Sequence, residues 1–275
     1  MVQKVVAVHD LSCVGRCSLT VVLPILSALG LQVCPLPTAV LSTHPAGFKN
    51  VVCQEMTGQM RQFSQQWQEN QLEFDCVYTG FLASSEQIQV TKNIIRQFAQ
   101  QDKTILVDPV MGDDGQAYSL TTPELIEEMR SLVAQASIIT PNYTEACFLL
   151  QRPYLGNKVQ SAQLLPWLVE LANLGPQQVV ITGIPQGEDV VTLAYERVHQ
   201  CFYRYANRRV GGKYPGTGDL FASILLGRLL GGMGLGLAIQ AAGDFVAQAI
   251  TSTRELGLPV REGVAFEALI QQLND

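Results

Sequence analysis

Residues 104–145 read TILVDPVMGDDGQAYSLTTPELIEEMRSLVAQASIITPNYTE. Thr104–Val107 is a short β-branched and aliphatic run that stops at Asp108-Pro109, which predicts a buried strand. Thr122-Pro123-Glu124-Leu125 then has the makings of a helix start: an N-cap hydroxyl, a proline at the first helical position and an acid in the first turn. Ser137–Ile139 is a second apolar run, ending in Thr140-Pro141-Asn142. Strand, helix, strand in this order is the repeating unit of a parallel sheet with helices across its faces.

The same alternation extends in both directions. Before this stretch, Val5–Val8 predicts a strand. A helix follows from about Arg16 to Leu29, closed by Gly30, and Gln32–Leu36 predicts a second strand. Met56, Met60, Phe63 and Trp67 lie on one face of a helix over Glu55–Asn70. Cys76–Thr79 predicts a strand ending at Gly80, and Ser84-Ser85-Glu86 caps a helix to about Gln100. After the stretch, Val179–Ile181 is a strand ending at Thr182-Gly183. Val190–Ala194 and His199–Tyr205 form an antiparallel hairpin. Leu220–Leu230, Leu237–Thr253 and Phe266–Leu273 are helices. With no linker, charge run or internal repeat, the expectation is an α/β fold, residues 1–275 forming one domain around a mostly parallel sheet.

Composition narrows the function. The 275 residues hold 24 Asp+Glu against 18 Lys+Arg, a formal charge of −6, and no basic stripe, so a nucleic-acid partner is not expected. Charged residues make up 15% and apolar residues 47%, too apolar for a disordered chain. Seven cysteines are scattered without a Cys-x-x-Cys pair, and there are three histidines, which predicts neither a zinc cluster nor a disulfide framework. The thiols read as small buried hydrophobes in a reducing, cytoplasmic compartment. Met1–Asp10 carries Lys4 and Asp10 in a strand-like run and does not read as a signal peptide. Cys17–Thr43 is uncharged and long enough to cross a bilayer, but Pro24, Gly30, Pro35 and Pro37 interrupt it. A helix followed by a strand fits it better, and no membrane partner is expected.

In such sheets ligands gather at the carboxyl ends of the strands. His9-Asp10, Ser42-Thr43-His44, Gly80-Phe81, Asp108, Thr140-Pro141-Asn142 and Thr182-Gly183 all fall at that edge. Gly216-Thr217-Gly218-Asp219 leads into a long apolar helix and follows Gly211-Gly212. The glycines allow a tight turn that brings unpaired N–H groups to a helix start, an anion hole. Asp219 is either a first-turn acid of that helix or a proton acceptor for a hydroxyl attacking a phosphoryl group. Lys213 does not belong to a P-loop, because Asn207 and Tyr214 stand where glycine and Ser/Thr are required. His9–Gly15 likewise lacks the dinucleotide-binding glycines. Asp108, Asp113 and Asp114 are either a solvated turn or ligands for a cation. Asn142 and Glu145 are either a capping box or the surroundings of Mg²⁺ held through water. Asn142-Tyr143-Thr144 matches a glycosylation acceptor by chance.

Asn142-x-x-Glu145, Asp108-Pro109-Val110-Met111-Gly112-Asp113 and Gly216-Thr217-Gly218-Asp219 together resemble motifs of the ribokinase superfamily, most closely its vitamin B6 branch of pyridoxal and pyridoxamine kinases. The resemblance runs in order from His9-Asp10-Leu11-Ser12 through Ser42-Thr43-His44 and Thr79-Gly80-Phe81 to Asp219. It implies a three-layer α/β/α sandwich without a large lid. It implies ATP across the strand ends near Asp108, Thr140, Asn142, Glu145, Thr182 and Gly183. Asp108, Asp113 and Glu145 would organise Mg²⁺ and a monovalent cation, K⁺ or Na⁺. Gly216, Thr217 and Gly218 would form the anion hole, and Asp219 would be the base on the 5′-hydroxymethyl of pyridoxal, pyridoxine or pyridoxamine. Asp10 or Ser12, and His44, would lie against the pyridine ring. A homodimer is also implied.

The chain departs from that pattern at Ser42-Thr43-His44-Pro45-Ala46 and at Gly80-Phe81, where many members carry further polar groups. Two other functions fit the same pattern. Hydroxymethylpyrimidine kinases resemble this chain in fold but usually carry Gly-Thr-Gly-Cys at the anion hole. A catalytically silent B6- or nucleotide-binding protein would not require Asp219, Asn142 and Glu145 together.

Overall fold

The computed structural model describes residues 2–99 and 103–274. In chain order they form β1 (Lys4–Ser12), α1 (Leu19–Ala28), β2 (Gln32–Leu41), β3 (Cys53–Glu55), α2 (Thr57–Glu69), β4 (Cys76–Thr79) and α3 (Ser85–Phe98). Next come β5 (Thr104–Val107), β6 (Gly112–Asp113), β7 (Gln116–Ala117), α4 (Pro123–Val133), β8 (Ile138–Ile139), α5 (Tyr143–Leu149) and α6 (Leu165–Asn173). The last elements are β9 (Gln178–Gln186), β10 (Asp189–Glu196), β11 (Cys201–Arg208), α7 (Thr217–Leu230) and α8 (Leu235–Glu255). Two 3₁₀ segments, Val260–Glu262 and Glu267–Asn274, follow α8, the second where a helix over Phe266–Leu273 is expected.

Nine strands join in one sheet in the order β11-β10-β9-β8-β5-β4-β1-β2-β3. From β9 to β2 every neighbouring pair is parallel. β3 at one edge and β10–β11 at the other are antiparallel. β6 and β7 form a separate ribbon. Side chains alternate across the sheet. Val6, Val8, Val77, Val107 and Val179 face Met60, Ile94, Met129 and Leu168 of α2, α3, α4 and α6. Val5, Ala7 and Leu106 face Leu26 of α1 and Leu226 of α7, and Val180 faces Leu220 of α7 and Ala242 of α8. The expected three layers, helix, sheet and helix, are therefore present. Burial of each such aliphatic side chain contributes about 1.5–3 kcal/mol.

Three boundaries differ from the expectations. β2 continues past Leu36 to Leu41 and includes Pro35 and Pro37. β3 pairs with Ala39–Leu41 alone, so on that side the prolines have no strand neighbour to which an N–H is owed. α1 begins at Leu19 rather than Arg16, because Ser18 has φ +49° and the Arg16 N–H is bonded to the Glu262 carbonyl. Thr182 and Gly183 do not end a strand. They form a bulge within β9, with Gly183 at φ +69° and the β10 pairing slipping between Val191 and Leu193. The described part of α3 ends at Phe98, and the expected end near Gln100 lies outside the described residues.

β1 lies between β2 and β4, so the strand order reverses there. The crevice at that reversal is where a sheet of this kind takes its ligand.

Candidate active site

One half of the site is built on the ends of β5 and β8. Asp108 follows β5 and is 7% exposed. Its Oδ1 accepts a hydrogen bond from Thr140 Oγ1 at 3.0 Å, and Thr140 follows β8. α5 then starts with a complete capping box. Asn142 Oδ1 accepts from the Glu145 N–H at 2.9 Å, and Glu145 Oε2 accepts from the Asn142 N–H at 2.7 Å. Glu145 Oε1 also accepts from the Met111 N–H at 3.1 Å, and Asn142 Nδ2 donates to the Gly112 carbonyl at 2.8 Å. These bonds tie α5 to the β6–β7 ribbon. The β9 bulge joins from the other side: Thr182 N–H donates to the Pro141 carbonyl at 3.0 Å, and Gly183 passes beside Asn142.

Burial, with the charge of Asp219 second, pushes the Asp108 carboxyl up to about 8, against the Thr140 hydrogen bond. Burial and the charge of Asp108 hold Glu145 well above the usual carboxylate range, against the N–H groups of Asn142, Met111 and Gly112. Asp113 is exposed on the ribbon, where its Oδ1 accepts from the Asp114 N–H at 2.8 Å. Sequence reading missed Tyr118. It is 44% exposed, and partial desolvation and then the charges of Glu145, Asp113, Asp219 and Asp108 raise its phenol. No local pattern marks that tyrosine.

The other half is built on α7. Gly216 has φ +78°, and a Cβ there would fall 1.9 Å from the Arg16 carbonyl oxygen, so the turn requires glycine. The N–H groups of Thr217, Gly218 and Asp219 precede the first intrahelical bond, from Leu220 N–H to the Gly216 carbonyl, and are available to an anion. Asp219 Oδ2 accepts from the Ser18 N–H at 2.8 Å. Burial pushes its carboxyl up to about 7, opposed by that N–H and aided by the charge of Asp10.

Asp10, Ser12 and Ser18 form a third group beside Asp219. Ser18 Oγ donates to Asp10 Oδ1 at 2.5 Å and Ser12 Oγ to Asp10 Oδ2 at 3.1 Å, so Asp10 and Ser12 are mutually bonded. His44 is buried, with Nε2 2.7 Å from the Arg261 carbonyl. Burial lowers its pKa, opposed by the Arg261 carbonyl and the charge of Asp10; facing a carbonyl, Nε2 carries the donated hydrogen, and Nδ1 has no partner among the described residues.

Among the described residues no three His, Cys, Asp and Glu side chains assemble as direct metal ligands. The charge of Asp219 nevertheless raises the Asp108 pKa and that of Asp108 raises the Glu145 pKa, without a cationic side chain among the causes. That donor set fits a hydrated hard cation shared with phosphate oxygens.

Similarity to known proteins covers the fold. A Bacteroides thetaiotaomicron structure described as a phosphomethylpyrimidine kinase superposes with a TM-score of 0.97 at 40% identity, covering 100% of this chain and 94% of that one. Its orthorhombic form, solved with pyridoxal, gives a TM-score of 0.96 at 39% identity. The pyridoxine/pyridoxal/pyridoxamine kinase of Bordetella avium is 31% identical over 204 residues, 70% of this chain and 67% of the relative. The pyridoxal kinase of Sus scrofa is 31% identical over 172 residues, 56% of this chain and 52% of the relative, so the match spans about half that protein's length. The family profile described as phosphomethylpyrimidine kinase matches residues 23–262. With most of its length matched, and with the layers, strand order and motifs described above, this chain belongs to the phosphomethylpyrimidine kinase family, within the ribokinase-like fold it shares with the pyridoxal kinases.

Proposed function

We propose that the chain transfers the γ-phosphoryl group of ATP to the 5′-hydroxymethyl oxygen of a vitamin B6 vitamer. The observation that carries this reading is Asp219. It is an acid in the first turn of α7, next to unpaired backbone N–H groups, bonded to the Ser18 N–H and raised to about 7. A base of that pKa takes a proton from an alcohol near neutral pH. The N–H groups of Gly216, Thr217 and Gly218 hold the transferring phosphoryl group. The nucleotide lies across the strand ends at Thr140, Asn142, Thr182 and Gly183. The vitamer ring lies against Asp10 or Ser12 and His44, its hydroxymethyl group toward Asp219. Asp108 and Glu145, with Asp113 from the ribbon, would hold Mg²⁺ together with a monovalent cation. Bound there, the metal would supply neutralisation of the phosphate charge.

The enzyme of this proposal is a cytoplasmic homodimer with no nucleic-acid or membrane partner. All seven cysteines are free thiols, and no described helix is long and apolar enough to cross a membrane. A second reading, hydroxymethylpyrimidine as acceptor, is favoured by the description of the matching family, whereas Asp219 in place of the cysteine usual there favours the B6 reading. ADP release is to be measured with pyridoxal, pyridoxine, pyridoxamine and hydroxymethylpyrimidine, with and without excess chelator. Chelator-sensitive release with a vitamer, yielding its 5′-phosphate, is expected. Release with the pyrimidine alone would replace the first reading with the second.

A further inference from the structure

The segment after α8 grips the loop that supplies the hydrogen bond to Asp219. Arg16 N–H donates to the Glu262 carbonyl at 3.0 Å, and Arg16 Nη1 reaches the same oxygen at 3.3 Å. Arg16 Nε pairs with Glu267 Oε1 at 2.5 Å. The Arg16 carbonyl is pinched between two glycines. A Cβ on Gly216 would stand 1.9 Å from it and a Cβ on Gly263, at φ +78°, would stand 2.7 Å from it. The same segment reaches the second acceptor-side loop, through His44 to the Arg261 carbonyl and the Arg261 guanidinium over the Phe48 ring at 5.1 Å. It is itself fixed to α8, because Val264 and Phe266 are buried in that core and Ala265 N–H donates to Thr253 Oγ1 at 2.8 Å.

We propose that Arg261–Glu267 is a strap that positions Asp219, acting through the Arg16 clamp on the Ser18 N–H. The proposal rests on the reading of Asp219 as the base. Ser18 is two residues from Arg16, and Asp219 is three residues from Gly216. The clamp therefore sets both the donor and the turn that carries the acceptor. A carboxylate that must meet a hydroxyl in line with a phosphoryl group loses rate when displaced by a fraction of an ångström. Glu267 and Arg16 are the positioning residues, and neither is assigned a contact with substrate.

Glu267→Ala and Glu267→Gln test it. The Arg16–Glu267 pair is partly exposed, Glu267 by 57%, so both variants fold. Glu267→Ala is expected to lower kcat about three- to tenfold with the KM for ATP within about twofold of the parent. Amide exchange should speed up in residues 13–20 and not in residues 140–150. Glu267→Gln, whose side-chain oxygen still accepts from Arg16, should restore most of both. Unchanged exchange in residues 13–20, or an unchanged kcat in Glu267→Ala, overturns the proposal. If the parent protein phosphorylates no vitamer, the base reading falls instead, and the exchange comparison still decides whether the strap holds the loop.

Discussion

Two helices start at the rim of the site, each with an acid as its third residue, and they use that acid differently. At α5 both oxygens of the Glu145 carboxylate are held by backbone N–H groups, one by its own N-cap, Asn142, and the other by Met111, so it serves a cation only through water. At α7 the carboxylate of Asp219 takes one hydrogen bond, from Ser18 in a loop 201 residues away, and none from its own helix. The N-cap of α5 is an asparagine in extended conformation, whereas that of α7 is a left-handed glycine without a side chain. The first arrangement completes a helix end. The second leaves both the N–H groups and an acid oxygen for something else. An acid in a first turn is thus structural or reactive according to what occupies its oxygens.

The largest expected effect breaks the α7 side. Gly216→Ala puts a Cβ against the Arg16 carbonyl at a left-handed position and should cost at least about 3 kcal/mol of stability, with activity abolished. Denaturant unfolding with a parallel turnover assay measures both. The same substitution at Gly218, where a Cβ meets no atom within 4 Å, should be mild in stability and thereby sharpen the contrast.

Glu145→Ala breaks the α5 side. Two buried N–H groups lose their acceptor, at about 1–3 kcal/mol each, so the thermal midpoint should fall clearly. A retained midpoint would show that the capping box adds little stability, and unchanged metal dependence of activity would remove Glu145 from the cation site.

The smallest effect lies between the two helices. Asp108 ionises near 8 in the fold and near 4 when unfolded, so the folded chain holds the extra proton between those values. Stability therefore falls as pH rises from about 4 to about 8. Asp108→Asn should remove that loss, raising stability at pH 8 and hardly at pH 4, while lowering turnover. A pH-independent midpoint difference in differential scanning calorimetry would rule out the buried Asp108 proton as the origin of the effect.

Much of this was legible because it is local. The strand at Thr104–Val107, the cap at Thr122-Pro123 and the Asn142–Glu145 box are each set by neighbours within a few residues, and the fold repeats them. The Gly216 turn was legible for the same reason. Thr182-Gly183 misled because a polar residue and a glycine resemble a strand end, whereas β9 absorbs them as a bulge and keeps its partner β10. The prolines of β2 misled because their tolerance depends on where β3 stops. Ser18, Tyr118 and the Arg16–Glu267 pair had no local signature, since each matters through contacts made across the chain.

Asp219→Asn is the most direct measurement. Asparagine keeps the size of the side chain and an oxygen for the Ser18 N–H, but it cannot accept the proton. Turnover of the best vitamer should fall about 10²–10⁴-fold, with ATP binding and thermal midpoint close to the parent. Turnover within a few-fold of the parent would contradict the assignment of Asp219 as the base and, with it, the distinction between the two helix starts.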